Sequence, residues 1–149
     1  MKLEEIMVRS VKTVHIDDNL KNVAVIICTN HVSGVPVVDD EGKVVGIISE
    51  KDVIKAMYPD YAELHDDPVR SRNFEDMEER YESLLVRKVA DIMSPNVLSI
   101  TSDAPILKAA SIMILKKIRR LPIVDQGKLV GIVSQGDIHQ AIFKKKLLT

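Results

Sequence analysis

The 149-residue chain reads as an α+β protein made of two copies of one β-α-β-β-α unit with a helical insert between them. Two observations lead there: the chain repeats itself, and each copy alternates helical with strand-type apolar spacing. Ile6-Met7 recurs as Ile92-Met93 and Pro36 as Pro122, each 86 residues on, while Gly46 recurs as Gly131 and Asp52 as Asp137, each 85 on. The one-residue step falls between Asp40 and Gly42, where VPVVDDEGKVVGIIS meets the shorter LPIVDQGKLVGIVS. A turn is where a deletion is best tolerated. From Gly42 to Ala56, eight of fifteen positions are identical to their partners, which sets the copies at roughly 5–56 and 91–141. As domains these read as 1–57 and 91–149, joined by a linker over 58–90. Neither copy is a comfortable size for its own core, so the pair should pack together.

The elements follow in order. Val11–Ile16 and Val97–Ile100 are β-rich, and Asp17-Asp18 and Ser102-Asp103 then offer helix N-caps. Leu20, Val23, Ala24 and Ile27 recur at helical spacing, as do Ile106, Ala109, Ala110 and Met113. Val35–Val38 and Lys43–Ile48 flank an acidic, glycine-containing turn and predict a hairpin, matched in the second copy. Ser49 and Ser134 cap last helices over Glu50–Met57 and Gln135–Phe143. Within the insert, Pro59, Asp66, Asp67 and Pro68 predict an irregular stretch. Phe74, Met77, Tyr81, Leu84 and Leu85 then step by three and four, which predicts one amphipathic helix of about fourteen residues. Its stripe should bury on the repeats or across a dimer; a sharper reading makes it a mobile arm that reports ligand state. The insert holds nine acids and five bases, so it is acidic while the remainder is slightly basic.

Composition narrows the function. The chain is 46% hydrophobic and 29% charged, the profile of a globular protein, and its net charge of −1 gives no footprint for nucleic acid. A single cysteine, Cys28, cannot form an internal disulfide and indicates a reducing, cytoplasmic setting; on the apolar helix face it reads as a small core residue. The longest apolar run, Val23–Cys28, is six residues, far below a membrane span, and Glu4 and Glu5 stand where a signal peptide would be apolar. His15, His31, His65 and His139 show no metal-ligand spacing with Cys28, and His65-Asp66-Asp67 reads as a solvated turn. Gly42–Gly46 lacks the ending of a P-loop. No nucleophile–base–acid set stands out, so an enzyme is not expected. Lys144, Lys145 and Lys146 read as a solubilising tail.

Chemistry concentrates in a pattern present twice, Ser49/Asp52 and Ser134/Asp137. Ser-x-x-Asp at a helix start can be no more than an N-cap with an acid in the first turn. Capping alone would accept Glu or Gln at the fourth position at least as well, yet both copies keep the shorter Asp. A carboxylate there can accept from two vicinal hydroxyls, as on a ribose, and the first N–H groups of the helix suit a phosphate. Arg119-Arg120 ends the run Lys116-Lys117-Ile118-Arg119-Arg120; it is either a solvated basic helix end or a pair of planar forks for phosphate. The first copy has Ser33 and Gly34 there, with His31 just before.

These residues resemble a known family. The openings Glu5-Ile6-Met7 and Asp91-Ile92-Met93, the segments GVPVVD and RLPIVD, and the endings GIISEKD and GIVSQGD are together similar to a pair of CBS (cystathionine β-synthase) domains. The second copy is especially similar to the nucleotide-binding repeats of the AMP-activated protein kinase γ subunit. The resemblance implies a pseudo-twofold module, dimerised, that binds AMP, ADP or ATP in clefts between its copies and signals to a separate effector protein. A sensor of S-adenosylmethionine or another adenosyl ligand, and a dimerisation module with degenerate clefts, are the rival expectations. It implies that Arg119 and Arg120 serve the nucleotide whose ribose Asp52 accepts. The cleft of Ser134 and Asp137, facing Ser33, would then carry less positive charge and suit a nucleoside or monophosphate. Thr13 and Ser99 match positions that touch the base. With no ring in the repeats before Phe143, the adenine should lie between aliphatic groups such as Val35, Pro36, Leu121, Pro122 and Ile132, with Tyr58 and Tyr61 of the insert the nearest aromatics in sequence.

Overall fold

Two prolines decide how much of the first strand in each copy can form. In a computed structural model, which describes residues 1–57, 74–95 and 97–148 and omits the side chains of Phe74, Asp76 and Met77, the first copy runs β1 (Val14–His15), α1 (Leu20–Asn30), β2 (Gly34–Val38), β3 (Val44–Ser49) and α2 (Glu50–Met57). After the insert come α3 (Phe74–Leu85) and α4 (Val89–Ile92), then the second copy with α5 (Ile106–Lys116), β4 (Arg120–Asp125), β5 (Lys128–Ser134) and α6 (Gln135–Leu147). The β-rich stretches shrink to Val14–His15 in the first copy and to a single parallel bridge, Ile100 to Ile123, in the second. Ile100 N–H donates to the Pro122 carbonyl and Val124 N–H to the Ile100 carbonyl. The next rung toward the N-terminus would need an N–H on residue 122, which proline lacks. Pro36 holds the equivalent place beside β1.

The hairpins form as their sequences direct, and the missing residue lies in the turn. In the first copy Gly42 N–H donates to the Asp39 carbonyl and Gly42 has φ +78°, a three-residue loop closed by a left-handed glycine. In the second, Gln126 and Gly127 have φ +50° and +78° between the paired Asp125 and Lys128, a two-residue turn. Both hairpins carry a bulge, with Val45 and Val130 as the extra residues. Helix starts differ from expectation. Asn19, not Asp17 or Asp18, caps α1, accepting from Asn22 N–H, and α5 begins after Pro105 with no side-chain cap. The acidic residues are used elsewhere: Asp18 accepts from His15 N–H and Asp125 from Ser102. Both α1 and α5 stop at a residue in the left-handed region, His31 and Lys117.

The chain packs as two units that cut across the sequence repeats: Met1–Val11 with Leu98–Thr149, and Lys12–Val97. The opening segment of each copy therefore packs on the body of the other. Residues 1–8 clasp the second copy at both ends. Leu3 N–H donates to Ala104 O and Ile106 N–H to Met1 O, and Val8 and Ile132 exchange both backbone bonds. Residues 87–94 clasp the first copy identically, with Val89 N–H to Asp18 O, Leu20 N–H to Arg87 O, and Ser94 and Ile47 exchanging both. Each clasp drops a methionine onto a strand glycine, Met7 onto Gly131 and Met93 onto Gly46, where a Cβ would collide with the methionine side chain.

One core joins Leu3 and Met7 to Ile106, Met113, Leu121 and Val133; the other joins Val89 to Leu20, Val23, Val35, Ile48 and Met57. Leu84 of α3 completes the second core, so the insert helix forms as its spacing predicts and seats its C-terminal end on the first repeat, while Tyr81 is exposed. Cys28 is exposed, not a core residue. Eight residues after Leu20, at about 100° each, it lies about 80° round the helix from the buried stripe. Among the described residues no helix is long and apolar enough to cross a membrane.

Candidate functional site

Strand runs into helix without a loop at the two Ser-x-x-Asp positions, so the first helical turn needs partners at once. In the first copy Ser49 donates to Asp52 Oδ2 from both its N–H (2.8 Å) and its hydroxyl (3.0 Å). In the second, Ser134 N–H donates to Asp137 Oδ2 at 2.8 Å and Asp137 N–H to Ser134 Oγ at 3.1 Å, a reciprocal capping box. Capping thus engages Oδ2 of each carboxylate. Both aspartates are half-buried, each fixed at a helix start beside the N–H groups of a first turn.

The strand before each site closes on the same turn. Glu50 N–H donates to the Ser33 carbonyl and Gln135 N–H to the Arg119 carbonyl, both at 3.0 Å, which confirms Ser33 and Arg119 as equivalent positions. Gly34 pairs with Ser49, and Arg120 with Ser134. One unit therefore gathers Thr13, Ser33, Val35, Pro36, Ser49 and Asp52; the other gathers Ser99, Arg119, Arg120, Leu121, Pro122, Ser134 and Asp137. Arg119 is exposed and Arg120 half-buried, while Val35 and Leu121 are wholly buried in the two cores and so back the sites. Tyr58, Tyr61 and His65-Asp66-Asp67 lie outside the described residues.

Two features escaped the sequence. Ser94 Oγ donates to Asp52 Oδ1 at 3.0 Å, a contact between residues 42 apart that depends on the clasp. The only available sign was that Ser94 follows Met93 where Val8 follows Met7. Second, the fold brings His15, Asp17 and Asp40 within 4.8 Å of one another, which residue spacing did not suggest. His15 Nδ1 accepts the Asp17 backbone N–H at 3.1 Å, and His15 Nε2 lies 2.6 Å from Asp40 Oδ1. With Nδ1 and Nε2 both engaged, the cluster as built is a hydrogen-bonded corner.

Comparison with known proteins gives one consistent result. A model of the CBS domain matches residues 3–59 and again 89–144. An uncharacterized protein of Methanocaldococcus jannaschii is 34% identical over 95% of this chain and 91% of its own. CBSX2 of Arabidopsis thaliana, solved in complex with AMP, superposes with a TM-score of 0.73 at 24% identity, covering 97% of this chain and 98% of that one. The CBS domain pair of protein MJ0100, solved with 5′-methylthioadenosine and S-adenosyl-L-methionine, gives 0.71 at 23% identity, covering 97% and 98%. Both structures share this fold.

Proposed function

The chain belongs to the CBS-domain family, and we propose that it is a regulatory module that binds an adenine nucleotide and passes that state to a separate effector protein. The observation that carries the reading is the twice-built acceptor. Asp52 and Asp137 are each held through Oδ2 by a serine at a helix start, leaving acceptor positions to other donors; Ser94 takes one such position on Asp52 Oδ1. A ribose hydroxyl is such a donor, and the helix N–H groups and the arginine forks of Arg119 and Arg120 suit the phosphate. The ligands of the two structural neighbours, AMP in one and adenosyl compounds in the other, support an adenosine-containing ligand. Pro36 and Pro122, with Val35 and Leu121 behind them, supply aliphatic rather than aromatic surroundings for a base. The role is one of binding, in a cytoplasmic setting consistent with a single free thiol.

Calorimetric titration with AMP, ADP, ATP and S-adenosylmethionine tests the reading. Asp52→Ala and Asp137→Ala should each remove one binding event, and a ligand at about a hundred times its dissociation constant should raise stability by about 2.7 kcal/mol. Absence of heat and of any thermal shift with every ligand at millimolar concentration would reject it. We further propose a homodimer, because Leu107, Ile114 and Leu115 on α5 are 60%, 71% and 76% exposed. Sedimentation showing only monomer at tens of micromolar would refute that part.

A further inference from the structure

The two carboxylates are capped alike but differ in what else reaches them. We infer that Ser94 is a specificity-determining residue of the Asp52 site. It occupies Oδ1 and leaves Asp52 room for one ribose hydroxyl, whereas Asp137 is open to a vicinal diol. The inference rests on the reading of both aspartates as ribose acceptors.

Two hydrogen bonds fix the Ser94 backbone. Its N–H donates to the Ile47 carbonyl at 2.9 Å and its carbonyl accepts from Ile47 N–H at 3.1 Å, two residues before the cap Ser49. That bridge aims Oγ at Asp52 Oδ1, 3.0 Å away. The second copy has the same bridge, with both Val8–Ile132 bonds at 3.0 Å, but carries two methyl groups where the hydroxyl would be. An ionised carboxylate has about four acceptor positions. On Asp52 three are taken, by Ser49 N–H, Ser49 Oγ and Ser94 Oγ. On Asp137, among the described residues, Ser134 N–H is the one donor. A ribose diol offers two donors. Asp137 can accept both; Asp52 can accept one unless Ser94 turns away.

The discriminating ligands are AMP and its 2′-deoxy and 3′-deoxy analogues. Each site is titrated alone, in the Asp137→Ala or the Asp52→Ala background. Loss of one hydroxyl should weaken binding at Asp137 by about ten-fold or more, and at Asp52 by about three-fold or less. Ser94→Val should bring the Asp52 site to about the ten-fold loss, and Val8→Ser should bring the Asp137 site down to about three-fold. Valine already stands on the same backbone bridge in the other copy, so the exchange suits the fold; Ser94→Ala is the second variant. A ligand-free readout accompanies them: the Asp52 carboxyl-carbon resonance at neutral pH should move on Ser94→Val while that of Asp137 stays. Failure of AMP to bind the unaltered protein overturns the underlying reading. AMP binding at both sites with equal deoxy losses, unchanged by Ser94→Val, or an unmoved Asp52 resonance, overturns the role of Ser94 alone.

Discussion

Asp125 shows what one neighbour does to a carboxyl. The Ser102 hydroxyl, and then the Ser102 backbone N–H, donate to it and hold it below its ordinary value of 3.8. A lowered folded value means the folded state binds its proton less readily than the unfolded state. The pair therefore contributes fully above the ordinary carboxyl range, and the contribution is lost as pH falls through the lowered folded value. Ser102→Ala should move the Asp125 titration up toward the ordinary value and make stability less dependent on pH on the acid side. A carboxyl-carbon titration with an unmoved midpoint would refute this. The first copy has Ile16 in place of Ser102, and there Asp39 accepts from Glu41 and Lys43 within its own turn. Residue-scale roles such as these were only half legible. Ser49/Asp52 and Ser134/Asp137 declared themselves because each pair is local, three residues apart on one helical turn. The partners of Asp125 and of Asp52 Oδ1 were not legible, because those contacts join segments that meet only after folding.

Among elements, those that depend on local spacing matched the sequence closely. The hairpins, the starts of the last helices and the insert helix all follow apolar periodicity and turn chemistry, but α6 runs past the expected end at Phe143 to Leu147, so Lys144, Lys145 and Lys146 form its last turn rather than a tail. The first strands did not match, since β-branched residues signal a strand, but the partner strand must offer N–H groups, and Pro36 and Pro122 withhold one each. In the sequence, Gly46 and Gly131 mark the repetition. A glycine inside a strand also signals close approach of other groups, and that is the fuller meaning of Gly46 and Gly131. A Cβ at either would meet a clasp methionine and lie 3.1 Å from a clasp carbonyl, of Ser94 or Val8. Gly46→Ala and Gly131→Ala should each destabilise by about 1–3 kcal/mol through overpacking. Urea denaturation giving a loss under about 0.5 kcal/mol, the range of neutral surface changes, would contradict this packing.

Taken as a whole molecule, the chain has packing units that differ from its repeats. Lys12–Val97 is one contiguous stretch that carries its own clasp, residues 87–94, and the insert helix that completes its core. A fragment of residues 12–97 should fold cooperatively, while residues 1–57, a full repeat, should not, since the segment that covers its strands comes from farther along the chain. Dispersed amide NMR spectra from 1–57, or their absence from 12–97, would count against that division. This level was closed to sequence reading because Ile6-Met7 and Ile92-Met93 look like the start of the copy they precede. The exchange of openings also bears on ancestry. A chain with a single copy could complete itself only by trading its first residues with a second chain, as a domain-swapped pair. Fusing two copies brings that trade inside one molecule, where it no longer depends on protein concentration.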